Sequence, residues 1–222
     1  STPATSVDPS TSRCDATMSG FSTNRPEMVD TEEDLLSGAD LVVASSMLLE
    51  RAAKAANGNV LLVPNACDAE HFGRVGREVH ARPIVGYYGA IADWFDSDLV
   101  ADLAERRPDW DFVLVGSTYT ADTSRLSKLR NVQLPGEKPY VEIPSWLAKM
   151  DVAILPFKRL PLTEATSPVK AYEILAAGKP LVAVPIPEVA PMAPLVRLAS
   201  TAQDFEHEIV EALSDNDPDA QQ

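Results

Sequence analysis

Lys170 and Glu173 stand three residues apart in the stretch Ser167-Pro168-Val169-Lys170-Ala171-Tyr172-Glu173 and can act together only if a helix carries them. That spacing puts them on one helical face, with Ala171, Ile174 and Leu175 on another that suits packing against a sheet. The flanks mark both helix ends. Ser167 reads as the N-cap, Pro168 as the first helical residue, Gly178 as the left-handed residue past the end and Pro180 as the stop, which predicts a helix over 168–177. A lysine in the first turn opposes the helix dipole by about 0.3–1 kcal/mol unless an anion sits there. Free N–H groups, the dipole and one ammonium together make a phosphate site, and Glu173 could accept hydrogen bonds from neighbouring sugar hydroxyls. The competing reading is an exposed Lys170–Glu173 pair, contributing roughly a few tenths of a kcal/mol.

The elements that must position this pair alternate regularly. An acidic helix start at 31–36, a strand at 39–44, a helix at 47–56 ended by Asn57-Gly58 and a strand at 59–63 come first. A polar stretch from about Phe72 to Pro83 reads as a linker. Beyond it come strands at 84–88, 111–115, 132–134, 152–155, 181–184 and 196–198, separated by helices at 96–107, 141–150, 168–177 and 202–213. Strands of near-continuous aliphatic character joined by single helices predict an α/β fold, a doubly wound, Rossmann-like parallel sheet covered on both faces. Ligands in such sheets bind beyond the carboxyl ends of the strands. Gly89-Ala90, Gly116-Ser117, Pro135-Gly136 and Pro156-Phe157-Lys158 fall there, on one rim with the Lys170 helix.

Size and composition set the bounds. The 222 residues can hold one ordinary domain and part of another. A formal net charge of −14 argues against nucleic acid or an anionic membrane as the main partner, so any phosphate must be held by local groups. Cys14 and Cys67 fit no metal or redox spacing, and with no membrane-length apolar run or signal peptide a reduced cytoplasmic protein is expected. His71, His80 and His207 lie in polar contexts and read as surface residues. Residues 1–13 should be flexible, and Asp215, Asp217 and Asp219 read as a solvated tail. Asp96 reads as a helix cap with Trp94 or Phe95 as its staple, in preference to Trp94 as a sugar platform. Trp146 reads as core and Trp110 as cover for a strand edge.

Several segments together resemble the donor-binding half of GT-B glycosyltransferases, of the large retaining group that includes many bacterial surface-polysaccharide enzymes. They are Val63-Pro64-Asn65-Ala66-Cys67-Asp68, similar to the family's domain-joining motif, then Gly86-Tyr87-Tyr88-Gly89-Ala90-Ile91 and Ala148-Lys149-Met150-Asp151-Val152-Ala153-Ile154-Leu155-Pro156. The most specific is Thr163-Glu164-Ala165-Thr166-Ser167-Pro168-Val169-Lys170-Ala171-Tyr172-Glu173 with Ala176-Ala177-Gly178-Lys179-Pro180. The likeness covers about 29–214.

The resemblance implies that Glu173 holds ribose hydroxyls and that Lys170, with the helix start at Thr166, Ser167, Pro168 and Val169, neutralises the diphosphate of a nucleotide sugar. Gly89-Ala90 would let backbone approach the phosphate or the transferred sugar, with Gly116-Ser117 on the same rim, and the segment from Gly136 to Tyr140 would lie near the base. Two positions depart from the family pattern. Ala165 stands where many relatives have a glutamate, with Glu164 beside it as the candidate sugar contact, and Ala90–Trp94 offers no cation, which leaves Lys170 with Lys158 or Arg159 to carry the phosphate charge. No residue is assigned as catalytic, and no metal or other cofactor is implied.

The expected organisation is a flexible or remnant segment over 1–28, closing elements of an incomplete N-terminal acceptor domain with a linker over 29–75, and a donor-binding domain over 76–222. The expected function is transfer of a glycosyl group from a nucleotide sugar to a saccharide or glycolipid acceptor, with any peripheral membrane association residing in an N-terminal half. On length, the chain is expected to be a fragment or a divergent short form that binds donor but is poorly equipped to transfer. The alternative is a noncatalytic nucleotide-sugar-binding module. A receiver-like signalling domain is disfavoured because no acidic pair follows the first strand of the large sheet.

Overall fold

A computed structural model describes residues 26–215 except 74, 77 and 79. Residues 1–13, Cys14, Asp217 and Asp219 therefore lie outside the described residues. The chain forms two compact units, one up to Val63 and one from Pro64 onward.

The first unit runs α1 (Pro26–Gly38), β1 (Val42–Ala44), α2 (Met47–Ala56) and β2 (Val60–Leu62). The two strands pair in parallel, Val42 opposite Val60. Ser46 caps α2 by accepting the Leu49 N–H at 3.2 Å. Asn57 ends α2 in an extended conformation rather than a left-handed one. Its amide donates to the Leu36 and Ala39 carbonyls, each at 2.7 Å, so it ties the ends of α1 and α2 together. The first helix begins at Pro26, five residues ahead of the acidic start expected at Thr31.

The second unit adds α3 (Ala69–Phe72), β3 (Ile84–Tyr88), α4 (Ser97–Arg106), β4 (Asp111–Val115), β5 (Val132–Gly136), α5 (Ile143–Ala148) and β6 (Val152–Leu155). It closes with α6 (Pro161–Glu164), α7 (Val169–Ala176), β7 (Leu181–Ala183), β8 (Val196–Leu198) and α8 (Ala202–Asp215). Its six strands form one sheet in the order β5-β4-β3-β6-β7-β8, and every neighbouring pair is parallel. The doubly wound α/β class is thus the observed one. From β3 the chain winds one way to β4 and β5, and from β6 the other way to β7 and β8, so right-handed crossovers put α4 and α7 on opposite faces. The crevice between the carboxyl ends of β3 and β6 is the topological switch point, where such sheets bind ligands.

One apolar core fills this unit from Phe72 to Ala212. Phe72, expected at the start of a linker, is fully buried in it at the end of α3, a short helix that Asp68 caps by accepting the Glu70 and His71 N–H groups. Trp110 is a core residue, 1% exposed, and not merely an edge cover. Trp146 is partly buried instead of fully, with the Lys149 ammonium 4.7 Å from its ring. Asp215 is the last residue of α8 and pairs with Arg197, so it belongs to the fold.

Candidate functional site

At the switch point, α7 starts one residue later than its sequence suggests. Pro168, extended at φ −76° and ψ 109°, is itself the N-cap and offers no acceptor. Ser167 is 3% exposed, and its hydroxyl meets no partner among the described residues, so it does not cap. Its carbonyl accepts the Asn65 amide at 2.7 Å, which fixes the turn leading into the helix. The far end follows expectation: Ala177 and Gly178 close the helix, Gly178 at φ +69°.

Lys170 leans from the first turn of α7 across the sheet to the exit of β3. A Cβ placed on Gly89 would lie 2.0 Å from Lys170 Cε and 2.7 Å from Nζ, so the ammonium stem occupies the space that a side chain at 89 would fill. Gly89 also sits at φ +125°, which L side chains rarely adopt. Behind it, a Cβ on Gly116 would lie 1.8 Å from the Gly89 carbonyl oxygen. The Gly89 N–H donates to Val115 at 2.8 Å, Gly116 to Gly136 at 3.0 Å and Ile91 to Ser117 at 2.8 Å. The strand-exit residues named from sequence, Gly89-Ala90, Gly116-Ser117 and Gly136, therefore form one stacked backbone rim beside Lys170.

Burial pushes the Lys170 amine below its ordinary pKa, and the nearby Glu173 charge opposes that only in part. The two side chains interact electrostatically without forming an ion pair, which removes the reading of an exposed surface pair. Glu173 is 5% exposed. Its Oε2 accepts the Tyr88 hydroxyl at 2.6 Å and its Oε1 the Tyr140 hydroxyl at 3.1 Å. Burial and the bond to Glu173 raise the Tyr88 pKa, and desolvation, the Glu173 charge and the bond to Glu173 push Tyr140 up to about 12. Tyr140 stacks on His71 with ring centroids 4.8 Å apart and meets Phe72 edge-on at 5.6 Å. Cys67 is close enough for Glu173 and Asp68 to add to the rise that burial imposes on its thiol.

Other candidates are committed elsewhere. Glu164 is paired with the exposed Arg159 at 2.6 Å. The Thr166 hydroxyl donates to the Leu162 carbonyl at 2.7 Å and closes α6. Val169 is 37% exposed at the mouth of the helix. Lys158 is exposed, and its N–H donates to the Trp94 carbonyl at 2.8 Å, joining the loops that follow β3 and β6. It borders a cavity of about 370 Å³ lined also by Asp93, Asp98, Asp122 and Arg125. The three carboxylates there outnumber Lys158, since Arg125 is held by Asp102 and Glu105, so this cavity disfavours an anion. Among the described residues no group of three or more His, Cys, Asp or Glu side chains could hold a metal ion.

Tyr88, Asn65 and His71 were not marked by the sequence as site residues. A tyrosine closing a buried strand just before a glycine turn needs a hydroxyl partner, and that signal points to Tyr88. Asn65 and His71 carry no comparable local mark.

The sequence model of the family described as Glycosyl transferases group 1 matches residues 82–215, more than half of the chain. The chain belongs to this family. TuaH of Bacillus subtilis (strain 168), whose name assigns it to teichuronic acid biosynthesis as a glycosyltransferase, is 35% identical over 112 residues, 49% of this chain and 28% of TuaH. Among solved structures, sucrose-phosphate synthase from Thermosynechococcus elongatus superposes with a TM-score of 0.71 at 18% identity, covering 87% of this chain and 54% of that one. Anabaena HepE, solved in complex with UDP and glucose, gives a TM-score of 0.63 at 17% identity over 86% and 58% of the two chains. These structural likenesses show a shared fold, the GT-B architecture expected from the motifs. The chain spans little more than half the length of those structures and 28% of TuaH.

Proposed function

We propose that this chain is the donor-binding part of a retaining glycosyltransferase, which takes a nucleotide-diphosphate sugar and passes the glycosyl group to a polysaccharide or glycoconjugate acceptor on the cytoplasmic side. One observation carries the reading: a desolvated lysine without an ion pair among the described residues, laid over a glycine at the switch point and beside the first turn of α7. A half-buried ammonium in that position is short of partners, and a diphosphate would complete its environment. A further feature favours an anion there, the start of α7, whose N-cap Pro168 offers no side-chain acceptor to the first N–H groups.

In this reading Glu173 holds the ribose hydroxyls and the segment from Gly136 to Tyr140 lies near the base. As the bond between the anomeric carbon and the diphosphate breaks, negative charge grows on the departing phosphate. Lys170 and the α7 terminus stabilise that charge, and their fixed geometry means little reorganisation is needed. No metal enters the scheme. The residues before Val63 would be the closing elements of an acceptor domain, and the acceptor would be bound by the part of such enzymes that precedes them. The relation to TuaH, named for teichuronic acid biosynthesis, favours a polysaccharide as the product.

Calorimetric titration with UDP, GDP, ADP and their sugars tests the site. Saturable binding of one nucleotide, lost on Lys170→Ala and weakened at least tenfold on Glu173→Ala in folded proteins, is the expected result. Binding that survives both substitutions unchanged would sink the proposal.

A further inference from the structure

Glu173 offers two oxygens, and the structure gives each a phenol. The two bonds differ in kind. Tyr88 stands in the last position of β3, 5% exposed, and donates at 2.6 Å, so it can leave only if the strand deforms. Tyr140 begins a single 3-10 turn, is 54% exposed and donates at the longer distance of 3.1 Å. Its ring is held from outside by the stack on His71, and its carbonyl lies 3.3 Å from His71 Nε2.

We infer that Tyr140 is a displaceable shutter: its hydroxyl takes the place of a ligand hydroxyl on Glu173 Oε1, and a nucleoside diol must displace it, while Tyr88 stays and fixes the carboxylate. The inference rests on reading Glu173 as the ribose-binding residue. Glu173 is 5% exposed and its Oε1 is already taken by Tyr140, so a diol that binds Oε1 must first move the Tyr140 hydroxyl. The phenol, with its pKa pushed up to about 12, remains a donor throughout the neutral range and competes at every pH where the chain works. Competition of this kind lowers the apparent affinity by the fraction of molecules in which Oε1 is free. It also discriminates, because only a ligand that brings its own hydroxyl recovers the bond that is broken.

The test compares the full chain with Tyr140→Phe, which keeps the ring and its stack and removes only the donor. The probes are the nucleoside diphosphate that binds most tightly and its 2′,3′-dideoxy analogue. Tyr140→Phe is expected to tighten the diol-bearing nucleotide about three- to tenfold and to leave the dideoxy analogue unchanged. Weaker binding of the diol would overturn the shutter and make Tyr140 a ligand contact. Equal tightening of both probes would overturn it by placing the effect away from Glu173. Lys170→Ala and Glu173→Ala controls separate the two levels. If nucleotide binding ignores both, the site reading falls and the shutter with it; if it needs both and Tyr140→Phe changes nothing, the shutter alone falls.

Discussion

Lys170 carries its charge in surroundings that disfavour it, and this makes a testable statement about stability. Its folded-state pKa lies below the ordinary 10.5 because burial outweighs the attraction of Glu173. The unfolded chain therefore binds more protons than the folded one between those two values, so stability rises with pH through that window. Below the folded pKa the strain is present in full. Lys170→Met is accordingly expected to raise the midpoint of urea unfolding at pH 7, and the advantage over wild type should shrink as pH approaches 10.5. A substitution that destabilises the ligand-free chain at pH 7 would show that the ammonium is satisfied by the fold itself. The same residue was legible in the sequence because a first-turn lysine violates a local rule. Its partners were less so: Tyr88 meets Glu173 across 85 residues and Asn65 meets Ser167 across 102, contacts that the winding of the sheet creates and no local spacing announces.

Elements divide into those that hold the sheet and those that shape the site, and two substitutions separate them. Asp96 caps α4 by accepting the Leu99 N–H at 3.0 Å, as its position before the helix suggested, and it lies outside the Lys170–Glu173 cluster. Asp96→Ala should cost about 1 kcal/mol of stability in chemical denaturation with nucleotide affinity unchanged. Gly89→Ala acts on both. A methyl there meets Lys170 Cε at 2.0 Å and imposes a strained φ, so stability should fall by about 1–3 kcal/mol and nucleotide affinity by at least tenfold. Equal effects of the two variants on binding would mean that the β3 exit has no special relation to Lys170. Strands β3, β4, β6 and β8 match their expected bounds residue for residue, because short runs of mostly apolar, strand-favouring residues between turn signals leave little choice. Helices α3 and α6, with four residues each, went unseen, since so short a stretch shows no helical period. Ser167 misled for a related reason. A serine before proline has the composition of a cap, but the extended Pro168 moves the helix start past it and leaves the hydroxyl buried without a partner among the described residues.

For the molecule as a whole, a net charge of −14 and a site for an anion are in conflict, and the conflict has a measurable form. Arg107, Arg125 and Arg197 are spent on neighbouring carboxylates, and the excess of acidic over basic residues leaves a long-range field that repels a nucleotide. Repulsion of that reach is screened strongly by salt, whereas the contact between a desolvated Lys170 and a phosphate is screened little. Raising ionic strength from about 20 mM to about 150 mM should therefore leave nucleotide affinity level or improve it, with the gain in the association rate. Stopped-flow binding over that range checks this. A steep loss of affinity with salt would mean that exposed basic residues hold the phosphate, and attention would pass from Lys170 to Lys158 at the mouth of the acidic cavity. Level or rising affinity would place the phosphate contact inside the low-dielectric crevice of the sheet, where Glu173 and the α7 terminus already converge.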